Sequence, residues 1–579
     1  VDDDTARPAV GHFEHTAVTR SDAILLAGTA FGSAAIFAAA ALASMSGSLS
    51  PGVGLAALAA GAAAGFLAAR EARWASTAPP RWTRWEWLAL GAFALVSVRQ
   101  FGWLVFEREG ALLTLLPHNY GDLPLHWTYI QHLASGASFW PENPILTQER
   151  LRYPLGVDLL TAVFVQLGVR LEIALPALGL AGAALAGLGL RRWGGAFAVA
   201  GFLFAGGLAG VPALVTLSLA DVDAQVAWKN LFLALLVPQR GFLLALPVGL
   251  VLLWSWRAQL LRGEAAPLPA WLTGLLWGAL PLVHLHTFAF VSVMGGLWAI
   301  ATGRWRAAVP GLGMALLPAA WGVFQVTDGF RVAALAGWAP GFVIGDESPL
   351  VFLVRNFGFW LPLAVAALVV ATRARRHEEL LVLVPSLGLF GLLFLVRLAP
   401  WAWDNTKVML WCYVAVLPSF HSLVVGHLRP ALRVMGMVLL FASGLSSLLW
   451  GCFGRLPRLE VLDRAEYTAV CQALARIETS RVATAQTFNH PVALCGRPIV
   501  AGYVGHLWSH GLDSAAVEAG LKRLLRGEPG WQDEARVLGA SHLFWGAREL
   551  WAFPASTRPW ETLGAPVASG SWGALYRLN

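Results

Sequence analysis

Pro117-His118-Asn119-Tyr120-Gly121-Asp122-Leu123-Pro124-Leu125-His126-Trp127 is a polar and aromatic stretch set between long apolar runs. Those runs decide the fold. From Ser21 to Trp450, nearly charge-free segments recur, each near the ~20 residues a helix needs to cross the hydrocarbon core of a bilayer. The 579 residues are 57% hydrophobic and 13% charged, whereas soluble domains carry roughly 25% charge. Backbone facing lipid must satisfy its own hydrogen bonds, so the chain reads as a polytopic α-helical membrane protein. The quoted stretch then lies in a first long loop, 107–155, between two spans.

A net charge of +7 would suit a nucleic-acid binder if it were gathered on one soluble face. Instead the arginines fall in short loops: Arg70, Arg73, Arg81 and Arg84; Arg257 and Arg262; Arg304 and Arg306; Arg373, Arg375 and Arg376; Arg429 and Arg433. That is the positive-inside pattern, which puts these loops in the cytoplasm and gives no reason to expect a nucleic-acid partner. Spans near 22–45, 52–70 and 85–106 lead to the external loop 107–155. Segment 156–190 is broken by Arg170, Glu172 and Pro176, and reads as one broken crossing or as a re-entrant piece followed by a span. Further spans are expected near 194–218, 241–256, 269–284, 287–302, 309–326, 349–371, 380–398, 408–427 and 434–452. With about thirteen crossings, the N-terminus is cytoplasmic and the C-terminus is outside. The first twenty residues are polar and the first apolar run is of full spanning length, so no cleavable signal is expected.

The spans define a membrane domain, 1–453, and composition changes after it. In 454–579 charge rises, apolar runs shorten, and strand-like pieces (Arg481–Ala485, Ser541–Trp545, Gly573–Leu578) alternate with a helical piece near Ser514–Arg526. This pattern predicts a small extracytoplasmic α/β domain. The four cysteines show no metal-ligand spacing. Cys471 and Cys495 can pair only if their domain lies in an oxidising compartment.

Four motifs carry polar chemistry to the external side of this topology. In the first loop, Asp122 and His126 stand four residues apart. Pro124 suits the first turn of a helix, so 123–136 is expected to begin a short interfacial helix with Trp127, Tyr129 and Ile130 at headgroup level. Asp122 suits either the cap of that helix or a general base or metal ligand at a cavity mouth. Downstream, Arg152-Tyr153-Pro154-Leu155-Gly156 reads as the start of a span, with a structural role.

The loop 219–240 contributes Trp228-Lys229-Asn230 and Pro238-Gln239-Arg240-Gly241. Arg240 suits either a phosphate ligand at headgroup depth or an arginine that snorkels to anchor a helix end. Pro281-Leu282-Val283-His284-Leu285-His286-Thr287 places two imidazoles at an external turn. They do not share a helix face, but in a broken turn they come together. Trp401-Ala402-Trp403-Asp404-Asn405-Thr406-Lys407 holds one of only three lysines in the chain, beside a carboxylate and an amide. Each motif alone also fits a structural reading. Together they put cations, imidazoles and a carboxylate on one membrane face, the combination an anionic lipid headgroup and an incoming nucleophile require.

These residues resemble the GT-C class of integral membrane glycosyltransferases, which use polyprenyl-phosphate-linked sugars. The likeness is carried by Gly121-Asp122 with His126, Tyr153-Pro154-Leu155-Gly156, Pro238-Gln239-Arg240, His284-Leu285-His286 and Trp403-Asp404-Asn405-Thr406-Lys407. The segments Gly496-Arg497-Pro498 and Gly502-Tyr503-Val504-Gly505-His506-Leu507-Trp508-Ser509-His510-Gly511 look like a further signature of a bacterial subgroup. The resemblance implies Asp122 as catalytic base with His126 beside it. It implies Arg240, Lys407, His284, His286 and Gln239 around the donor phosphate, with Asp404, Asn405 and Lys229 in support. Tyr503, His506 and His510 fall on the acceptor side.

The implied partners are a polyprenyl-phosphate sugar, membrane lipid, and a glycan, lipid or protein acceptor; no cofactor is assigned, and a divalent metal is compatible. The chain lacks the Trp-Trp-Asp-Tyr-Gly motif of oligosaccharyltransferases and the paired Asp-Glu of protein O-mannosyltransferases. A transporter or flippase of a lipid-linked substrate is the alternative, but transporters gather their charges near the midplane. A polymer ligase using a diphosphate-linked lipid is another, and would need more cations. Arg used in place of Lys, with abundant Ala and Gly, fits a bacterial inner membrane.

Overall fold

The computed structural model describes residues 18–19, 22–75, 82–115, 117–331, 336–478 and 480–578. The expected cytoplasmic N-terminus and Arg81 lie outside these residues, as does the side chain of Arg73. Among the described residues, seven helices are long and apolar enough to cross a membrane: Asp22–Ser46, Pro51–Ala72, Leu171–Leu203, Phe242–Arg262, Trp305–Val326, Trp403–His427 and Pro430–Phe453. An eighth passage is added if Pro349–Phe357 and Trp360–Arg373, bent by 86°, form one broken span. Several expected spans are present as shorter or less apolar helices, such as Arg84–Gly102, Ala270–Val283, Leu285–Ala301 and His377–Leu392. By length and apolarity the count therefore stops at seven or eight, short of thirteen.

The ambiguous segment resolves into a re-entrant-length helix, Gly156–Gln166, followed by a long one, Leu171–Leu203. The long helix is broken at Gly194–Gly195, where Gly195 takes φ +62°, a left-handed conformation that glycine adopts without steric cost. The break follows Arg191 and Arg192, so the turn falls where the charges placed it. The continuous span expected over 194–218 does not form. Its helix stops at Leu203, and the next residues run as irregular backbone against two other segments. Gly207 explains why: a Cβ there would sit 2.1 Å from the Arg355 carbonyl oxygen. The glycines of this stretch are used for close backbone approach, which tertiary packing imposes on a sequence that reads as helix.

The two ends of the bundle are chemically distinct. At one end Arg191 pairs with Glu86 at 3.0 Å, Arg192 with Asp22 at 3.6 Å, and Arg257 and Arg262 with Glu378 at 2.5 and 2.9 Å. Helix Asp22–Ser46 starts there and has 25 residues, a length of about 37 Å at 1.5 Å per residue. Beyond its far end, the carbonyl of Gly47 accepts from the backbone of Phe139 in the first long loop. The arginine-rich loops and the first long loop thus lie at opposite ends, as the charge pattern predicts.

The C-terminal region is the expected small α/β unit. Arg481–Ala483 pairs in parallel with Ala540–Trp545, and Gly573–Arg577 joins antiparallel, followed by Ala568–Gly570. Val470, Val482, Val492, Ile499, Phe544 and Leu575 fill the core between this sheet and its helices. The region is stitched to the first loop rather than tethered beside it. Strand Leu459–Asp463 pairs with Ala111–Thr114, which pairs in turn with Phe106–Arg108. His132 donates to the Gly496 carbonyl at 3.0 Å, and Thr147 and Gln148 donate to the carbonyls of Leu538 and Val537.

Cys471 and Cys495 form a disulfide that closes a loop with a sequence separation of 24. By loop length such a bond stabilises by roughly 3 kcal/mol. Replacing both with serine should lower the melting temperature of the purified protein under non-reducing conditions. The loss should match that of the unsubstituted protein treated with reductant. Equal melting in all three states would remove this contribution.

Candidate active site

The helix that carries Asp122 runs Pro117–Ala134, so it starts well before the expected position at 123. Pro124 lies inside it, at the cost of one backbone hydrogen bond. Asp122 is consequently not the cap of this helix; its carboxylate projects from the second turn. The side chain is half-buried, and Gln239 Nε2 donates to its Oδ2 at 2.9 Å.

One turn further, His126 is buried with its Nδ1 2.7 Å from Asp158 Oδ2, both side chains being 2% exposed. Asp158 sits in the first turn of Gly156–Gln166, where a helix N-terminus favours negative charge. Its other oxygen accepts from Arg240 Nε at 2.9 Å, and Arg240 Nη2 donates to Thr161 Oγ1 at 2.6 Å. Arg240, at 4% exposure, turns inward. Two of its donor groups are spent on Asp158 and Thr161, so it is not a snorkelling anchor at a helix end.

Small residues make this convergence possible. A Cβ on Gly156 would stand 2.8 Å from the Leu282 carbonyl oxygen, and one on Gly241 would stand 2.3 Å from that of Val283. The segments bearing Asp158, Arg240 and His284 therefore meet backbone to backbone. His284 occupies the extended break between Ala270–Val283 and Leu285–Ala301 and caps the second helix, its Nδ1 accepting from the backbone N–H of Thr287 at 3.2 Å. The break brings His284 and His286 together, with ring centroids 5.4 Å apart.

Lys407 and Asp404 form a 2.5 Å ion pair in the first turn of Trp403–Leu423. Asn405 beside them is structural: its amide donates to the Leu393 and Val396 carbonyls and accepts from the Leu398 N–H. Lys229 lies over the Trp403 ring at 5.7 Å. The C-terminal region reaches the same place through Val504–Ser509. His506 Nε2 donates to the Gly121 carbonyl at 3.0 Å, directly beside Asp122. The His510 ring lies 5.2 Å from that of Tyr153, which is 5.9 Å from that of His126. Tyr503 flanks His506 at 5.2 Å and is 42% exposed.

Two residues at this centre are absent from the sequence-based site. Tyr153 reads in the sequence as the start of a span and a carrier of the family likeness, with no site role; burial with Asp158 and Asp122 nearby holds its phenol well above the ordinary tyrosine range. Asp158 had a detectable signal, since an acid within an apolar run is a functional candidate by default. Among the described residues no three His, Cys, Asp or Glu side chains gather as a metal-binding set. Asp158 and Asp404 are each held by a cation and Asp122 by an amide donor. Carboxylates engaged in this way are not arranged as a ligand set for a divalent ion.

Gly241→Ala should force apart the backbones that carry Arg240 and His284. Overpacking of this kind costs about 1–3 kcal/mol, to be read as a lower melting temperature. Burial, then His506 and Lys407, push His510 down to about 3 from the ordinary 6.5. The unfolded chain then binds one more proton than the folded one below about pH 6.5, so stability falls as pH drops through that value and levels off only near pH 3. His510→Asn should remove this part of the acid sensitivity, as measured by melting temperatures between pH 7 and pH 4.

No protein-family model and no curated protein matches the sequence. Among solved structures, the chain is similar to the apo form of the oligosaccharyltransferase of Archaeoglobus fulgidus. That alignment has 13% identity and a TM-score of 0.43, and covers 80% of this chain and 70% of the other. A second structure from the same organism is the archaeal oligosaccharyltransferase AglB in complex with an inhibitory peptide and a dolichol-phosphate. It aligns at 13% identity with a TM-score of 0.38, covering 80% and 69% of the two chains.

Proposed function

We propose that the chain is an integral membrane glycosyltransferase of the GT-C kind. It moves a sugar from a polyprenyl-phosphate donor to an acceptor hydroxyl at the extracytoplasmic face, with inversion. One observation carries the reading: the half-buried Asp122 carboxylate is aimed by Gln239 beside a ring of basic and aromatic groups, contributed by separate segments at the end of the bundle opposite the arginine-rich loops. A carboxylate so placed suits a general base, and a fixed cation suits a leaving phosphate.

In the proposed step Asp122 takes the proton of the acceptor hydroxyl as its oxygen bonds to the anomeric carbon. The bond from that carbon to the phosphate oxygen breaks, and its electron pair leaves with the lipid phosphate. Lys407 is the cation assigned to that phosphate, with His286 beside it, because two donor groups of Arg240 are already spent on Asp158 and Thr161. His506 and Tyr503 are assigned to the acceptor side, since His506 holds the carbonyl next to Asp122. The proposed topology keeps the arginine-rich loops in the cytoplasm, the C-terminal domain outside a bacterial inner membrane, and about thirteen passages, the shorter apolar helices counted among them.

Purified protein in nanodiscs, given radiolabelled polyprenyl-phosphate sugars with and without an acceptor fraction, should release sugar from the lipid only when the acceptor is present. Asp122→Asn should cut transfer by at least about 100-fold while donor binding stays within a few-fold. Undiminished transfer by a folded Asp122→Asn protein would overturn the assignment. Movement of label across the bilayer without cleavage from the lipid would favour a flippase instead.

A further inference from the structure

His126 lies one helical turn from Asp122 on the same helix, and residues at this spacing share a face. It is buried, yet only its Nδ1 is bonded among the described residues, to Asp158 at 2.7 Å. A carboxylate only accepts, so Nδ1 carries the proton. Asp158 faces Arg240 with its second oxygen at 2.9 Å, and the guanidinium is anchored by Thr161 at 2.6 Å. The Arg240 charge therefore balances that of Asp158 within the same buried cluster. The contact with Asp158 selects the tautomer with its proton on Nδ1, which leaves the lone pair on Nε2. The distant partner of a histidine sets its tautomer in this way at both catalytic and metal sites.

We propose that Asp158 is a positioning residue of the site. It holds His126 as the Nδ1-protonated tautomer and takes up the charge of Arg240, leaving His126 Nε2 as an unprotonated acceptor one turn from Asp122. The inference rests on the glycosyltransferase reading for its catalytic consequence, and on geometry alone for the tautomer. In the reaction, Asp122 holds the proton it takes from the acceptor hydroxyl and shares it as a hydrogen bond to the unprotonated His126 Nε2 until the proton leaves to solvent.

The test has one arm that needs no substrate. In ¹⁵N-histidine-labelled protein in nanodiscs, the His126 resonances, assigned by their loss in His126→Gln, should show a protonated Nδ1 and an unprotonated Nε2. In Asp158→Asn the amide N–H can donate to Nδ1, so the proton should move to Nε2. The second arm is kinetic: Asp158→Asn should lower kcat by about 100-fold with little change in the KM for donor, whereas Asp158→Glu should restore part of the rate.

Because Asp158→Asn leaves Arg240 without its counterion, Asp158→Asn/Arg240→Gln provides a variant with no unpaired buried charge. It should melt near the unsubstituted protein and show the same tautomer change and rate loss. An Nε2-protonated or doubly protonated His126 in the unsubstituted protein would overturn the proposal. So would a folded double variant with unchanged tautomer and kcat. If the unsubstituted protein transfers no sugar while the Nδ1 tautomer is observed, the function is wrong and the positioning contact stands.

Discussion

The carboxylate of Asp158 faces two partners at once, and the geometry of the site hangs on that sharing. His126 comes from Pro117–Ala134, Asp158 from Gly156–Gln166, and Arg240 from the residues just before Phe242–Trp256. Three segments far apart in sequence are thus held to one point where water is largely excluded. A buried ion pair contributes little net stability, because desolvation consumes most of the attraction. Removing one partner is different, and typically costs roughly 3–5 kcal/mol because a buried charge is left uncompensated. The cluster therefore penalises every arrangement in which the three segments are not in register. It fixes where Asp122 stands without touching it.

Around that point the fold separates two kinds of charge. At one end arginines meet Glu86, Asp22 and Glu378 in ion pairs that tie helix ends together. At the other end acid, imidazole and ammonium groups converge from the first loop, the helix breaks and the C-terminal region. That region forms one wall of the site. Its strand Leu459–Asp463 completes a sheet with the first loop, and its His506 bonds to the residue before Asp122. The residues proposed for the acceptor side and for the base are in this way held at one junction, which suits a reaction that needs two reactants aligned.

Much of this is legible in the sequence. The apolar runs marked the helices, the arginines marked one end of them, and the four polar motifs were assigned to the other, where Asp122, Gln239, His284, His286, Lys407, His506 and His510 are found together. The strands at Arg481, Ser541 and Gly573 were visible by pattern. Three readings did not hold, each for a physical reason. The helix start expected at 123, which left Asp122 open as a cap or a base, rested on Pro124 suiting a first turn, but this helix tolerates an interior proline. The run 194–218 read as a span because its glycines count as apolar, whereas packing uses them for close backbone approach. Asp158 was passed over because the stretch Tyr153–Gly156 just before it looked like the start of a span.

The sequence by itself determined the class of protein, the positions of most helices and which loops share an end. These follow from hydrophobicity and charge, properties each segment carries alone into a bilayer. It also narrowed the chemistry to a handful of polar side chains, because such groups are rare in an apolar chain. Only the tertiary structure decided what each of them does. Whether Arg240 faces a ligand or Asp158, and which nitrogen of His126 holds the proton, depend on contacts between residues 82 and 32 positions apart. No local pattern records such contacts, since they arise only when packed helices bring distant charges within a few ångströms in a medium that cannot screen them.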